Sequence, residues 1–416
     1  MLRIGHAGGG ERPVETAALL ESVATREGTN VLVMRLAPGD IDHALGDILV
    51  PCLSKRVRLV VEVPDGDPLE VANALAALAA RTGQRRPRLG LVEGHDLLAT
   101  QPPALLSTLP CDPPMAPDLP LRSAVAPLGA EPLLGLIAKG SEILVTGRVA
   151  ASATAIAFAR HAYRWPADAH DKIASAAAIG RILAAGAACV GGDLDDAVPA
   201  ACLPFADIAP DGTALFQATN ARAVRVAGLA LSLLDGLRKP GQWVEPDVCV
   251  DLGDAVLEGP RLSGVVGRAA PDWLVGEFVF EGSLLGEAEA SYGGTGAGAR
   301  ALAAARDLED RLAAQPGDAR WRVEIVGLDA AAKTAGERVR DLAVAPSRDV
   351  RVRLAVRGQT PAHIHAALHE FQAMVAFGPA GAALLRTMQG RERRIANAQV
   401  PKSLVSVRAT QIASAL

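Results

Sequence analysis

Over residues 1–120 short apolar runs rich in Val, Ile and Leu alternate with longer stretches whose apolar positions recur at helical spacing. The runs Leu2–Gly5, Val31–Leu36, Val57–Val63 and Leu89–Glu93 are predicted strands, and the stretches Val14–Glu27, Asp40–Leu49 and Pro68–Thr82 are predicted amphipathic helices. Strand starts recur at the interval of a βα unit, which predicts a parallel sheet covered by helices. A Pro-rich stretch from Gln101 to Pro120 interrupts the pattern and reads as a surface loop or linker.

The α/β pattern returns with a predicted strand at Glu142–Thr146 and a long Ala-rich helix from His170 to Ala187, followed by Val190-Gly191-Gly192-Asp193. The segment FADIAPDGTALFQAT predicts a hairpin, with Pro210-Asp211-Gly212 as its turn. After a helix at Ala223–Leu237 the period shortens. Val248–Asp251, Ala255–Leu257, Leu262–Val266, Trp273–Phe280 and Leu284–Ser291 predict an antiparallel β-rich portion. It ends in Tyr292-Gly293-Gly294-Thr295-Gly296-Ala297-Gly298, ahead of a helix from Arg300 to Ala313. From about Arg320, strands at Arg322–Val326 and Val350–Val356, a helix at Pro361–Met374 and a final strand at Leu404–Val407 predict a small α+β unit. The expectation is an α/β protein of three parts: a parallel α/β domain over 1–120, a mixed α/β domain over 121–316, and a small α+β unit over 317–416.

Composition narrows the class. A chain of 416 residues exceeds what one core usually organises. Half its residues are hydrophobic but only 3% are aromatic, so cores of Ala, Leu and Val are expected. The net charge of −4, with both signs interspersed, gives no support for nucleic-acid binding or for a polybasic membrane surface. Cys52, Cys111, Cys189, Cys202 and Cys249 are far apart and form no CxxC pair, which points away from a disulfide framework or a zinc cluster. The apolar stretch around Val226–Leu234 is too short to cross a bilayer, and the start lacks a signal-peptide core. A cytoplasmic protein is expected.

The candidate chemistry lies in turns. Ile143-Leu144-Val145 stops at Thr146-Gly147-Arg148, and an Ala-rich helix follows Ser152. A helix start offers free amides to an anion, and Arg148 adds a charged planar fork. Gly-bearing turns also occur at Gly5 to Gly10, at Gly191-Gly192 and at Gly293-Gly294-Thr295-Gly296, without a dinucleotide or Walker spacing. Thr146, Gly147, Arg148, Ser152, Gly192, Gly293, Gly294, Thr295 and Gly296 are the candidate substrate-binding residues. His6 and His95 each follow a predicted strand, and Asp96 stands beside His95, so these three are the candidate proton-handling groups. His363, His365 and His369 lack an accompanying carboxylate motif and read as a solvated helix face, so no metal and no cofactor are expected. There is no GxSxG elbow, and the Arg391-Glu392-Arg393-Arg394 run reads as a solvated face.

Several of these landmarks occur together in one order: Arg3-Ile4-Gly5, Val92-Glu93-Gly94-His95-Asp96, ILVTGRVAASA, the run from Gly186 to Gly192, Val244-Glu245-Pro246-Asp247-Val248, Ser291-Tyr292 and Gly378-Pro379-Ala380-Gly381. In this the chain resembles the acyclic terpene utilisation AtuA family along almost its whole length. The resemblance implies a part in the breakdown of branched terpenoid acids carried as coenzyme A thioesters. The chain departs from the family pattern in having Ala150-Ala151-Ser152 where a Gly, a small residue and an Asp are usual. It also has Thr219-Asn220-Ala221-Arg222 for a Gly-Thr-Gly-Gly loop, and Ala382-Ala383-Leu384-Leu385 for a glycine tract. The ferredoxin-like module that often follows in the family is expected to be missing.

Two functions follow as expectations. One is a lyase or hydratase acting on an acyl thioester or carboxylate, with a coenzyme A thioester as substrate and the protein a homo-oligomer. The other is a catalytically silent subunit that stabilises or positions a partner, such as a small ferredoxin-like protein. An enzyme of specialised metabolism working on another carboxylate is a third and weaker expectation.

Overall fold

Five of the predicted strands lie parallel at the centre of one sheet, in the lateral order Leu2–Ala7, Thr29–Arg35, Arg58–Glu62, Ile143–Thr146 and Leu89–Glu93. Their near-continuous apolar character follows from burial on both faces. Leu2, Ile4, Val31, Val33, Val60 and Leu144 pack with Ile156, Phe158 and Ile179 of the helices Ala153–Tyr163 and His170–Ala184. The intervening residues Leu32, Met34, Leu59, Val61, Ile143 and Val145 pack with Leu19, Leu20, Val71, Leu75 and Leu78 of the helices Pro13–Val23 and Pro68–Arg81. The sheet is therefore wound on both faces.

The computed structural model describes residues 1–8, 13–25, 27–114, 119–186, 202–219, 224, 226–234, 241–315, 319–327 and 349–412. The chain divides into two units. One comprises Met1–Met115, Ser123–Phe278 and Ala396–Leu416, and the other Ala116–Arg122 and Val279–Ile395. This differs from the expected boundaries at 120 and 316. The strands Val248–Asp251 and Val266–Ala269 pair with each other, and Val248 and Val250 join the core around the His170–Ala184 helix. That draws much of the β-rich stretch into the first unit.

Antiparallel strands extend the first unit's sheet. Pro204–Ile208 pairs with Leu2–Ala7, and Ala214–Ala218 follows it as the predicted hairpin. At its turn Asp211 Oδ1 accepts from the Thr213 amide at 2.9 Å, and Gly212 takes a φ of +94°. At the other edge Arg408–Ile412 pairs with Leu89–Glu93. The final strand thus starts after the expected Leu404–Val407, whose first residue closes a short 3-10 turn. The expected helix over 40–49 is broken into Ile41–Leu45 and Leu49–Ser54, because Gly46 and Pro51 follow each other closely. Asp67 caps the Pro68–Arg81 helix by accepting from the Leu69 amide at 2.9 Å, with Pro68 in the first turn.

In the second unit the chain runs strand, helix, strand, strand, helix, strand: the end of Trp273–Gly293, Ala297–Ala313, Arg320–Val326, Asp349–Gly358, Pro361–Phe377, and the start of Ala382–Pro401. Laterally the strands stand in the order Arg320–Val326, Asp349–Gly358, Trp273–Gly293, Ala382–Pro401. That is the ferredoxin-like split βαβ arrangement. A unit of this architecture lies inside the chain, within residues 279–395. The stretch expected as two strands, Trp273–Phe280 and Leu284–Ser291, is one continuous strand. Alternation decides its faces: Ala288, Ala290 and Tyr292 pack on Ala301, Leu308 and Phe371 of the two helices. Glu287 and Glu289 pair on the other face with Arg353 and Arg351, each at 2.9 Å.

One position sets helix propensity against packing. Gly180 lies inside the His170–Ala184 helix, where Ala would favour the helix by about 1 kcal/mol. A Cβ there would fall 2.6 Å from the Ala151 carbonyl oxygen and 2.9 Å from Ser152 Cα, both backbone atoms that yield little. Overpacking costs about 1–3 kcal/mol, so packing wins. Gly180→Ala is expected to lower the urea unfolding midpoint, and an unchanged or raised midpoint would refute this account.

Candidate functional site

In open α/β sheets ligands gather beyond the carboxyl ends of the strands, where adjacent strands send their connections to opposite faces. Here that point lies between Arg58–Glu62 and Ile143–Thr146. The chain leaving Glu62 enters the Pro68–Arg81 helix on one face, and the chain leaving Thr146 enters the Ala153–Tyr163 helix on the other. Glu62 and Thr146 close their strands as register partners, and Arg35 is the partner of Glu62 on its other side. Arg35, Glu62 and Thr146 thus form one lateral row on one face. Glu62 is 3% exposed, and its Oε2 accepts from Arg35 Nη2 at 3.2 Å. Burial pushes its carboxyl up, with Arg35 opposing. The Thr146 hydroxyl is fully buried and has no hydrogen-bond partner.

His6 lies inside the Leu2–Ala7 strand and not in the turn after it, on the face that carries Leu2 and Ile4. It is 3% exposed, and neither ring nitrogen has a partner. Burial, with Arg35 adding to it, takes its pKa down from 6.5 to about 3. The imidazole is therefore uncharged at neutral pH.

Next to this row, His95 lies against Gly147. A Cβ at position 147 would fall 2.0 Å from His95 Nδ1 and 2.2 Å from its Cε1, so the ring occupies the space that a side chain would fill. Gly94 meets a similar constraint: its φ is +112°, and a Cβ would lie 2.3 Å from the Ser406 carbonyl oxygen. The Thr-Gly-Arg and Glu-Gly-His-Asp motifs interlock at these contacts. His95 Nδ1 is buried without a partner. The expected orientation of His95 by Asp96 is therefore not made. Asp96 Oδ1 accepts from the Leu98 amide at 2.9 Å instead. Burial lowers the pKa of His95, with Asp96 opposing and Arg148 assisting.

His95 lines a cavity of about 310 Å³ together with Asp67, Glu93, Asp96, Thr100 and Arg408. A larger cavity, about 400 Å³, opens beside Met1 at the opposite, amino end of the strands. It is the less suitable seat for a ligand in this fold.

The expected anion cradle at Gly147 and Arg148 is corrected by its own hydrogen bonds. The Gly147 amide donates to the Val92 carbonyl at 2.9 Å. Both arms of the Arg148 guanidinium are held by Glu277, at 3.1 and 3.2 Å. Ser152 is buried, and its hydroxyl donates to Glu245 Oε2 at 2.8 Å. Glu245 also accepts from Trp243 Nε1 at 2.8 Å, and burial pushes its carboxyl up. Asp247 accepts from the Ala130 amide at 3.0 Å and so caps the Glu131–Ala138 helix. The Val244-Glu245-Pro246-Asp247 landmark is an anchor of the fold.

Gly293, Gly294, Thr295 and Gly296 belong to the second unit, whereas Gly5 and Gly147 belong to the first. The loop is exposed, and Arg300 donates to the Gly293 and Thr295 carbonyls at 2.6 and 2.5 Å. Gly294 and Gly296 take φ values of +77° and +71°, which explains the glycines by conformation. Gly5 admits the Pro13–Val23 helix close to its strand. Gly9, Gly10, Cys189, Gly191 and Gly192, with residues 220–222 of the divergent loop, lie outside the described residues.

Sequence reasoning missed Glu62, Glu277 and Arg408, and named Glu245 only as part of a landmark. Only Glu62 carried a signal, as an acidic residue closing the buried run Leu59-Val60-Val61.

A doubly wound α/β sheet with a ferredoxin-like insertion defines the class of protein. The model of the acyclic terpene utilisation family protein AtuA matches residues 38–411, and the chain belongs to that family. No curated protein matches the chain. Among solved structures, an amidase of the hydantoinase/carbamoylase family from Burkholderia phymatum is 17% identical, over 28% of this chain and 30% of its own, with a TM-score of 0.20. So partial a likeness carries no weight for fold or function. Among the described residues no helix is long and apolar enough to cross a membrane.

The state of His6 has a measurable consequence. Between pH 6.5 and about 3 the unfolded chain holds a proton on this residue that the folded chain refuses, so stability falls as pH falls through that window. The slope approaches about 1.4 kcal/mol per pH unit. In His6→Leu the stability difference between pH 7 and pH 5, measured by urea unfolding, is expected to shrink by about 2 kcal/mol. An unchanged difference would contradict the buried, neutral imidazole.

Proposed function

We propose that the protein is an enzyme acting on a branched acyl thioester or its free carboxylate, by addition or elimination of the lyase or hydratase kind. Membership of a terpene utilisation family supports a branched, terpene-derived substrate. The observation that carries the reading is the His95 cavity at the carboxyl edge of the parallel sheet. Its volume, about 310 Å³, is at the lower end of ligand pockets and suits an acyl group, with the bulk of a coenzyme left outside. Addition and elimination need a group that accepts and returns a proton. An imidazole whose pKa is lowered by burial can accept one at neutral pH.

Arg408 takes the part first expected of Arg148. It is exposed, lines the cavity and makes no ion pair among the described residues. Asp67, Glu93 and Asp96 make the rest of the rim acidic. An anionic group is therefore held at the guanidinium itself, and the uncharged acyl portion lies toward His95.

A second reading, the catalytically silent subunit, draws on a different observation: the Gly147 amide, Arg148 and Ser152 are all satisfied within the chain. It predicts copurification with a second chain in fixed ratio and no ligand binding by the isolated protein.

Calorimetry with isovaleryl-CoA separates the two. The wild type is expected to bind, and Arg408→Ala to weaken binding about tenfold or more, as for loss of a hydrogen bond to a charged group. Arg148→Ala, whose fork Glu277 already occupies, is expected to stay within about twofold of wild type. Absence of binding by the wild type would remove the enzyme reading.

A further inference from the structure

We propose that Glu62 is the proton-transferring group of this site, held by Arg35 where the two windings of the sheet part, and that it acts on the α-carbon of an acyl thioester whose oxygen is received by the Thr146 hydroxyl. The inference rests on the functional reading above and assigns the α-carbon proton to Glu62, leaving the His95 imidazole to any other proton the reaction moves.

Placement is the first argument. Glu62 and Thr146 end the two strands whose connections diverge, and they are direct register partners. Residues so paired stand about 5 Å apart between neighbouring strands. In an open α/β sheet the ligand crevice lies beyond strand ends placed in this way. Gly147, next to Thr146, touches His95, and Gly66 and Asp67, shortly after Glu62, line the His95 cavity. The row and the cavity therefore share both of their supporting loops.

The second argument is that the row is costly for stability alone. Glu62 is buried with a single ion pair, to a side chain that is itself 39% exposed. A buried carboxyl in such a setting gains little from its partner. The Thr146 hydroxyl and both His6 nitrogens have no partner at all. Each such group forfeits about 1–3 kcal/mol when buried unsatisfied. A bound oxygen would supply the missing hydrogen bond to Thr146. The core that this face of the sheet joins is otherwise built mostly of Ala, Leu, Ile and Val, with Phe158, Trp165, Cys202 and Phe216.

The step balances without a further reactant. The α-carbon–hydrogen bond breaks, and the proton passes to a Glu62 carboxylate oxygen. The electron pair moves into the thioester as an enolate, whose oxygen accepts a hydrogen bond from Thr146. Return of the proton restores the thioester, and nothing is oxidised or reduced. In D2O the returned nucleus is a deuteron, so the reaction shows itself as isotope exchange even when no product accumulates.

The test is exchange of the α-hydrogens of isovaleryl-CoA in D2O, followed by mass spectrometry, with calorimetry on the same samples. Wild type is expected to bind and to exchange. Glu62→Gln should lose at least about 100-fold in exchange rate, the scale of general acid–base catalysis, while its affinity stays within about threefold. Glu62→Asp should keep part of the rate. Thr146→Val should lose about tenfold, which also covers the event that the Gln variant does not fold. Wild type that binds without exchanging, or Glu62→Gln that exchanges like wild type, overturns the proposal and leaves the cavity reading standing. Wild type that does not bind overturns both.

Discussion

The short strand Ile143–Thr146 is the constraint on which the rest of the first unit depends. It enters between Arg58–Glu62 and Leu89–Glu93, two strands that adjoin in sequence order, and pairs in parallel with both. The pairing separates the helix that follows Glu62 from the one that follows Thr146 and places them on opposite faces. A parallel strand buried on both sides cannot shift by one residue without turning its apolar set over. Leu144 and Val145 serve different cores, so the register is held from both directions. Everything at the carboxyl edge is consequently fixed by backbone pairing, before any side chain at the site contributes.

The glycines around that strand secure contacts more than they offer amides. Gly147 yields its side-chain space to His95, and Gly94 yields to the backbone before the last strand. The fold thereby gains a tight junction and spends the Gly147 amide on Val92. The same economy governs the acidic landmarks. Asp247 holds a helix start, and Glu245 draws the Ser152 hydroxyl away from the cap it could have made at the Ala153–Tyr163 helix. A landmark shared with a family is thus as often a joint of the scaffold as a contact for substrate.

Much of the fold was legible in the sequence, and the reasons are physical. Leu89–Glu93 was predicted to the residue, because an apolar run bounded by Pro and Gly leaves little choice. The Pro68–Arg81 helix was predicted to within one residue by Asp67 and Pro68 at its start. The hairpin at Asp211-Gly212 followed from turn chemistry. Local signals of this kind do not report which elements pair. The Ala382–Pro401 strand escaped notice because its exposed first half lacks a buried face to alternate against. At the site, His95 and Thr146 were legible as strand ends. That Arg148 meets Glu277, 129 residues away, was not. An exposed-looking Arg after a strand reads as a ligand for anions whether or not a distant carboxylate already holds it.

The distribution of uncompensated polarity remains to be explained. A domain of this kind is stable by only about 5–15 kcal/mol, so even a few buried groups without partners are a large fraction of the total. Several of them gather at one place, although Ser141, Thr154 and His170 carry others elsewhere in the first unit. Thr146 and the Glu62 ion pair close adjacent strands, His6 shares their face, and His95 lies against the glycine that follows Thr146. At the amino end of the same strands Arg3 is held by Asp207 at two points of 2.7 Å and Tyr163 joins the Leu2 amide to the Ile208 carbonyl, while the Ser141 hydroxyl ahead of Ile143–Thr146 is buried without a partner. Pairing of that kind ties the Leu2–Ala7 strand to its antiparallel neighbour as a scaffold is tied. The carboxyl end holds the unpartnered Thr146 hydroxyl and the His6 ring on one face, at the edge where α/β sheets receive their ligands.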